Sequence, residues 1–350
     1  MARPASRFGY LDSLRFIAAT VVVWQHLTDH RGDFLGRTVA QVGLGHAGVV
    51  IFFCISGFVV PLSVGGRMNF ASFMVRRMFR LYPLYLAALA LLLVVGGSGL
   101  LPQWAFLWSA PPRDWIANLL LVQDFAGARP FLGVSWTLII EIMWYTLFGL
   151  SVTLFGKRAG DILDIVMPAS LLALAAASLL LESRIPLGRP MMLYATVFGY
   201  QCYRHATGET DLRRFLLSIA VFLTTVLICT YVGFAVFQHA VMSFAQTLGP
   251  WLGGIATFLA IVFWPRLRDA PVFNAGWLPL LGTFSYSIYL LHPIAINAAT
   301  HYFEGPLRMP IAVLLLVPLA WAGFRFVETP AIGMGRVWGR RIDARSAPVT

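Results

Sequence analysis

The chain has 350 residues, 59% of them hydrophobic and 12% charged, with a net charge of +11 and a mean hydropathy of +0.76. A soluble globular domain carries about a quarter charged residues, so the composition excludes one and points to an all-α, polytopic membrane helix bundle. Cys54, Cys202 and Cys229 lie far apart in apolar stretches and read as small membrane-facing or core residues, which excludes a disulfide or zinc framework.

A membrane helix needs about 20 mostly apolar residues. That criterion predicts ten spans, near 11–28, 45–63, 81–100, 134–155, 162–182, 190–205, 215–236, 246–264, 278–299 and 309–327. Arg3 and Arg7 resemble a signal-peptide n-region, but Asp12 and Arg15 interrupt the apolar run and no small-residue cleavage site follows. The first span is therefore expected to be retained. Between spans three and four, the piece from Asp114 to Val122 is too short to cross and is expected to be interfacial or re-entrant.

With both termini cytoplasmic, eighteen of the 26 lysines and arginines fall at inner ends and seven in outer loops, while Arg15 lies within span one. That asymmetry satisfies the positive-inside rule and accounts for much of the basic charge without any nucleic acid. One transmembrane domain is expected over 1–335, followed by a short basic cytoplasmic tail, 336–350. No repeat of the kind that builds inverted-repeat transporters is visible.

Span one carries Arg15 and His26. Eleven helical steps place His26 about 16 Å along the axis and within roughly 20° of the same face. Ionisable residues inside a membrane helix face a protein interior or a wet cavity. His26 and His30 are also i,i+4 neighbours, with Asp29 and Asp33 nearby. No third ligand completes a metal site, and none is expected. In the second inner loop Arg76, Arg77 and Arg80 have the spacing to converge and to bind phosphate. Ordinary positive-inside anchoring is the competing reading. Pro83 suits the first turn of the next helix.

Span four opens with Ser135 and Trp136 and carries Glu141, with Tyr145 one turn deeper on the same face. His26 and Glu141 share an expected depth and are the best acid–base pair in the chain. A structural ion pair is the alternative for Glu141. His292, inside span nine, reads as an interhelical hydrogen-bonding residue, and Glu328 as a structural partner for the arginine cluster.

In order along the chain stand Leu11, Asp12, Leu14, Arg15 and His26; Gly48, Phe52, Phe53, Ser56, Gly57 and Phe58; Arg77, Arg80 and Pro83; Trp136, Thr137, Leu138, Glu141 and Tyr145; Ser285, Tyr286, Tyr289 and His292; and Glu328 and Pro330. This ordered set resembles the type 3 membrane acyltransferases, bacterial integral-membrane enzymes that O-acylate surface carbohydrates. The aromatic pattern around Trp144 is most similar to the exopolysaccharide-type branch. Val50, Thr137, Ile142 and Met143 depart from the family pattern.

The resemblance implies a multi-pass protein of the bacterial inner membrane whose domain 1–335 is the acyltransferase. Its donor would be cytoplasmic acyl-CoA, usually acetyl-CoA, and its acceptor a carbohydrate or lipid-linked glycan. His26 maps to the family's catalytic histidine, and Arg77 and Arg80 to the donor end, with Arg76 and Arg15 beside them. Glu141 would orient His26 or stabilise its protonated form. Asp12, Ser56, Trp136, Tyr145 and His292 are expected in supporting roles. His26 would act as base or as an acyl-carrying nucleophile. The competing class is a proton-coupled transporter or flippase, with His26 and Glu141 as its proton relay.

Overall fold

A computed structural model describes residues 8–29, 34–64, 68–237 and 242–346. Every regular element among them is helical. In chain order the long helices are α1 (Gly9–Thr28), α2 (Leu44–Leu62), α3 (Phe70–Gly97), α4 (Trp136–Phe155), α5 (Ala159–Leu180), α6 (Gly188–Ala206), α7 (Leu212–Tyr231), α8 (Phe244–Phe263), α9 (Ser285–Tyr302), α10 (Arg308–Ala322) and α11 (Thr329–Arg345).

Each of the ten predicted spans falls on helix. Among the described residues, six stretches are long and apolar enough to cross a membrane: Leu44–Leu62, Phe70–Gly97, Gly133–Leu180, Leu212–Val236, Phe244–Phe263 and Gly305–Arg345. Pro271–Gly282 and Ser285–Tyr302 make a seventh if taken as one broken span. The 48-residue stretch Gly133–Leu180 holds two of the predicted spans. Gly156 divides it with φ of +54°, a conformation glycine adopts without steric cost. Helices α1 and α6 have span length, but α1 carries Asp12, Arg15, Gln25 and His26, and α6 carries Arg189, Gln201, Arg204 and His205.

One element differs from expectation. Helix α3 begins at Phe70, well before 81, because the Asn69 side chain caps it by accepting from Ser72 N at 3.2 Å. Pro83 consequently sits inside α3, not in a first turn. Residues 336–345 continue α11 without a break.

The chain divides into two compact units, Met1–Met68 with Thr146–Thr283, and Asn69–Tyr145 with Phe284–Thr350. In the first unit α2 packs against α1, α6 and α8. Its crossing with α6 is backbone on backbone: a Cβ at Gly57 would lie 1.8 Å from Thr196 O, and one at Gly199 would lie 2.0 Å from Cys54 O. Small residues let membrane helices approach this closely, and van der Waals packing then holds them. Cys54, Cys202 and Cys229 are free thiols buried in this unit, the core alternative of the two that their apolar surroundings allowed.

In the second unit α10 and α11 run along α9 and α3. Gly335 and Gly339 lie directly against Phe79 and Arg76 of α3. The connection after α3 forms short helical turns, including Pro112–Leu119. Asn118 fastens it by donating to Asp114 O at 2.9 Å and Arg129 O at 2.8 Å and accepting from Phe131 N at 2.9 Å. The Asn118 carbonyl accepts from Tyr85 Oη of α3 at 2.9 Å.

Candidate functional site

Within the first unit, α1 brings two predicted site groups to different ends. Near its start, Arg15 Nη1 donates to Asp12 Oδ1 at 3.0 Å, and both side chains are largely buried. The i,i+3 spacing makes this pair local, and it neutralises a charge that would otherwise be costly in an apolar setting.

At the far end His26 Nδ1 lies 3.0 Å from Asp29 Oδ2, with the imidazole half-exposed. The other carboxylate oxygen, Oδ1, accepts from Gln25 Nε2 at 2.6 Å. Gln25 Oε1 in turn accepts from Gly45 N at 3.5 Å, at the start of α2. An ionised carboxylate can only accept, so Nδ1 carries the proton and Nε2 of a neutral ring carries the lone pair. Asp29 is thus the partner of His26, a residue considered in the sequence only as part of a possible metal spacing. Its i,i+3 spacing from His26 was the available signal. His30 and Asp33, the remainder of the considered metal spacing, lie outside the described residues. So do Arg3, Arg7, Arg31 and Arg67 of the charge tally. No group of three or more metal-ligating side chains occurs among the described residues. Ser56 is buried within α2.

Within the second unit the three arginines do not converge. Arg76 pairs with Asp343 of α11 and packs against Gly339, which ties α3 to α11. Neighbouring positions on a helix point about 100° apart, so Arg76 faces α11 while Arg77 does not. Arg77 is buried, with its guanidinium 5.3 Å from the Phe73 ring centroid and 5.2 Å from that of Tyr145, within cation–π range. Tyr145 Oη donates to Glu141 Oε1.

Arg77, Arg80 and Glu141 all lie within electrostatic reach of Tyr145. Arg80, Glu141, Tyr145 and Glu328 lie within reach of Tyr286. Glu328 is buried and accepts from Ser287 Oγ at 2.8 Å, while Tyr286 Oη donates to Leu81 O at 2.8 Å. The structure therefore gathers Arg77, Arg80, Glu141, Tyr145, Tyr286 and Glu328 into one polar cluster. Tyr286 and Ser287 of the Ser-Tyr-Ser segment join it, a grouping that no spacing in the sequence foretold.

His292 is fully buried, and its Nδ1 lies 2.6 Å from Tyr289 O. Pro293 lacks the N–H that would bond this carbonyl within the helix, so the imidazole supplies the donor. That bond lies within α9. Tyr289 Oη meets Thr137 Oγ1 at 3.1 Å, and Trp136 is half-buried at the head of α4.

Residues 8–325 match a family model described as an acyltransferase domain. The exopolysaccharide production protein ExoZ of Rhizobium meliloti (strain 1021) is 28% identical over 326 residues, 88% of this chain and 95% of that protein. Nodulation protein 10 of Rhizobium leguminosarum bv. viciae is 34% identical over 169 residues, 43% of this chain and 46% of its own length. A protein of Staphylococcus aureus (strain COL), provisionally named an O-acetyltransferase, is 25% identical over 360 residues, 91% of this chain. The aligned part is 56% of that protein, so the chain spans about half the length of these last two relatives. No solved structure matches.

Proposed function

The chain belongs to this acyltransferase family, and on that premise we propose that it is an inner-membrane O-acyltransferase. It moves an acetyl group from cytoplasmic acetyl-CoA, or a related acyl-CoA, to a hydroxyl of an exported carbohydrate. The name of ExoZ favours an exopolysaccharide or its lipid-linked precursor as acceptor.

The observation that carries the reading is the hydrogen bond between His26 Nδ1 and Asp29 Oδ2. It leaves Nε2 of neutral His26 as a proton acceptor. In the proposed reaction Nε2 takes the proton of the acceptor hydroxyl as its oxygen attacks the thioester carbonyl. The C–O bond forms, the C–S bond breaks, and the imidazolium returns the proton to the departing CoA sulfur. Positioned base catalysis of this kind contributes about 10²–10⁴-fold. Asp29 is a positioning residue: it fixes the tautomer and stabilises the imidazolium. Arg77 and Arg80 are assigned to the donor's diphosphate, a task suited to guanidinium groups. Glu141, held by Tyr145, is assigned a supporting electrostatic role. Arg15 keeps a supporting role, its charge balanced by Asp12.

The test uses the full-length protein in lipid vesicles, with labelled acetyl-CoA and membrane-enriched glycan. Wild-type protein is expected to label the glycan, and His26→Ala at equal membrane level to label none. Normal labelling by that variant overturns the assignment. Proton-coupled glycan uptake without CoA would identify a transporter instead.

A further inference from the structure

The first unit holds a cavity of about 750 Å³ that the chemistry above does not use. It lies where the first residues of α1 meet the last residues of α2, α6 and α8. Arg204, Arg213, Arg214, Arg266 and Arg268 belong to this end, the side that the positive-inside rule assigns to the cytoplasm. The volume falls in the ~300–1,000 Å³ range of small-molecule sites.

Its walls are aromatic. Tyr10, Phe58, Tyr203, His205 and Phe263 line it, and they are braced. Phe58 and Tyr203 meet edge-to-face at 5.8 Å. His205 stacks on Phe215 at 4.2 Å, with its Nδ1 3.1 Å from Thr210 O. Asn274 holds the mouth: its Oδ1 accepts from Tyr10 N at 3.2 Å, and its Nδ2 donates to Arg268 O and to Ala270 O.

The polar rim is an ion pair. Arg268 donates through Nε and Nη2 to the two oxygens of Asp269, at 2.9 and 3.1 Å. Asp269 engages Nε and Nη2, which leaves Nη1 as a further donor that an anion can use. The carboxylate retains lone pairs for an amine or a hydroxyl. A flat heteroaromatic ring, hydrogen-bond donors beside it and one adjacent phosphate would satisfy walls and rim together. Adenosine carrying a ribose phosphate has that combination. A phospholipid head group brings the phosphate but no ring to stack.

We infer that this cavity is the nucleotide subsite of the donor, taking the adenine and 3′-phosphorylated ribose of coenzyme A. The inference rests on the acyl-CoA reading above. The adenine stacks among Tyr203, His205 and Phe263, Asp269 accepts from its amine or from the ribose, and Arg268 Nη1 meets the phosphate.

The test compares acetyl-CoA with S-acetylpantetheine, which has the same thioester and no nucleotide. Adenosine 3′,5′-bisphosphate is expected to compete with acetyl-CoA on wild-type protein and to leave transfer from S-acetylpantetheine unaffected. Arg268→Gln and Tyr203→Leu are expected to raise KM for acetyl-CoA about tenfold relative to KM for S-acetylpantetheine. Equal changes for both donors overturn the subsite. So does competition by glycerol phosphate that matches the nucleotide's, which would mark a head-group site. Should a variant fail to fold, the wild-type competition decides alone. Transfer by wild type with no effect of the nucleotide removes the subsite and leaves the acyl-CoA reading standing. Absence of transfer from either donor removes both.

Discussion

His26 and Asp29 stand three positions apart at the end of α1, joined by a 3.0 Å contact from Nδ1 to Oδ2. The carboxylate's other oxygen is held at 2.6 Å by Gln25, so the imidazole is oriented by a group that is itself fixed. Asp29→Asn keeps the shape but can present an amide N–H to Nδ1, which favours the other tautomer. We expect kcat for glycan acetylation to fall by about 10–10³-fold, within the span of positioned acid–base effects, with donor KM nearly unchanged. Asp29→Glu should recover part of the loss. A variant with wild-type kcat would remove Asp29 from the mechanism.

Arg76 and Arg77 are sequence neighbours with opposite expected consequences. The Arg76–Asp343 pair is well exposed, and exposed pairs contribute about 0–1 kcal/mol. Arg76→Gln should therefore shift thermal unfolding slightly and leave donor KM within about twofold. Arg77→Gln, which empties the position between Phe73 and Tyr145, should raise it markedly. Equal effects in donor titrations would indicate that both arginines serve only as anchors.

The α2–α6 crossing is intolerant of side chains. Gly57→Ala would force a Cβ against Thr196 O and should cost about 3 kcal/mol, the upper part of the overpacking range. Gly253→Ala meets nothing within 4 Å and should be neutral or stabilising by about 0.5–1 kcal/mol through helix propensity. Thermal unfolding of the two variants in detergent would measure the contrast. Similar melting temperatures would contradict the close backbone approach.

The rim of the nucleotide cavity has a defined acid limit. The hydrogen bonds from Arg268 hold the Asp269 carboxyl below its ordinary range. A carboxyl depressed in the folded state contributes above its unfolded pKa of about 3.9, and the contribution is lost as pH falls through the folded value. Adenosine 3′,5′-bisphosphate binding should therefore not weaken through Asp269 between pH 7 and about 4.5. Protonation of Asp269 weakens it only at lower pH. Asp269→Asn should lose that low-pH step, and a wild-type binding curve that tracked a carboxyl titrating near pH 5 would refute the pairing.

The hydropathy pattern alone determined the membrane class and the helical positions of the ten segments, because both follow from local composition and length. It also placed Arg15 and His26 on one face, since helical periodicity is local. The ordered motifs identified the family, and the match over residues 8–325 bears that out. The early start of α3 was less legible: its arginine-rich first turns read as a loop until Gly335 and Gly339 supply the surface they pack on.

Partner choice was decided only by the tertiary structure. Asp343 lies 267 residues from Arg76, and no spacing rule links positions so far apart. The Arg77–Tyr145 contact and the gathering of Tyr286 and Glu328 beside Arg80 and Glu141 depend in the same way on how helices cross. The cavity needed the ends of four helices to meet around Asn274. Local chemistry is written in the order of the residues, whereas pairing between distant helices comes from packing, which selects the side chains that meet.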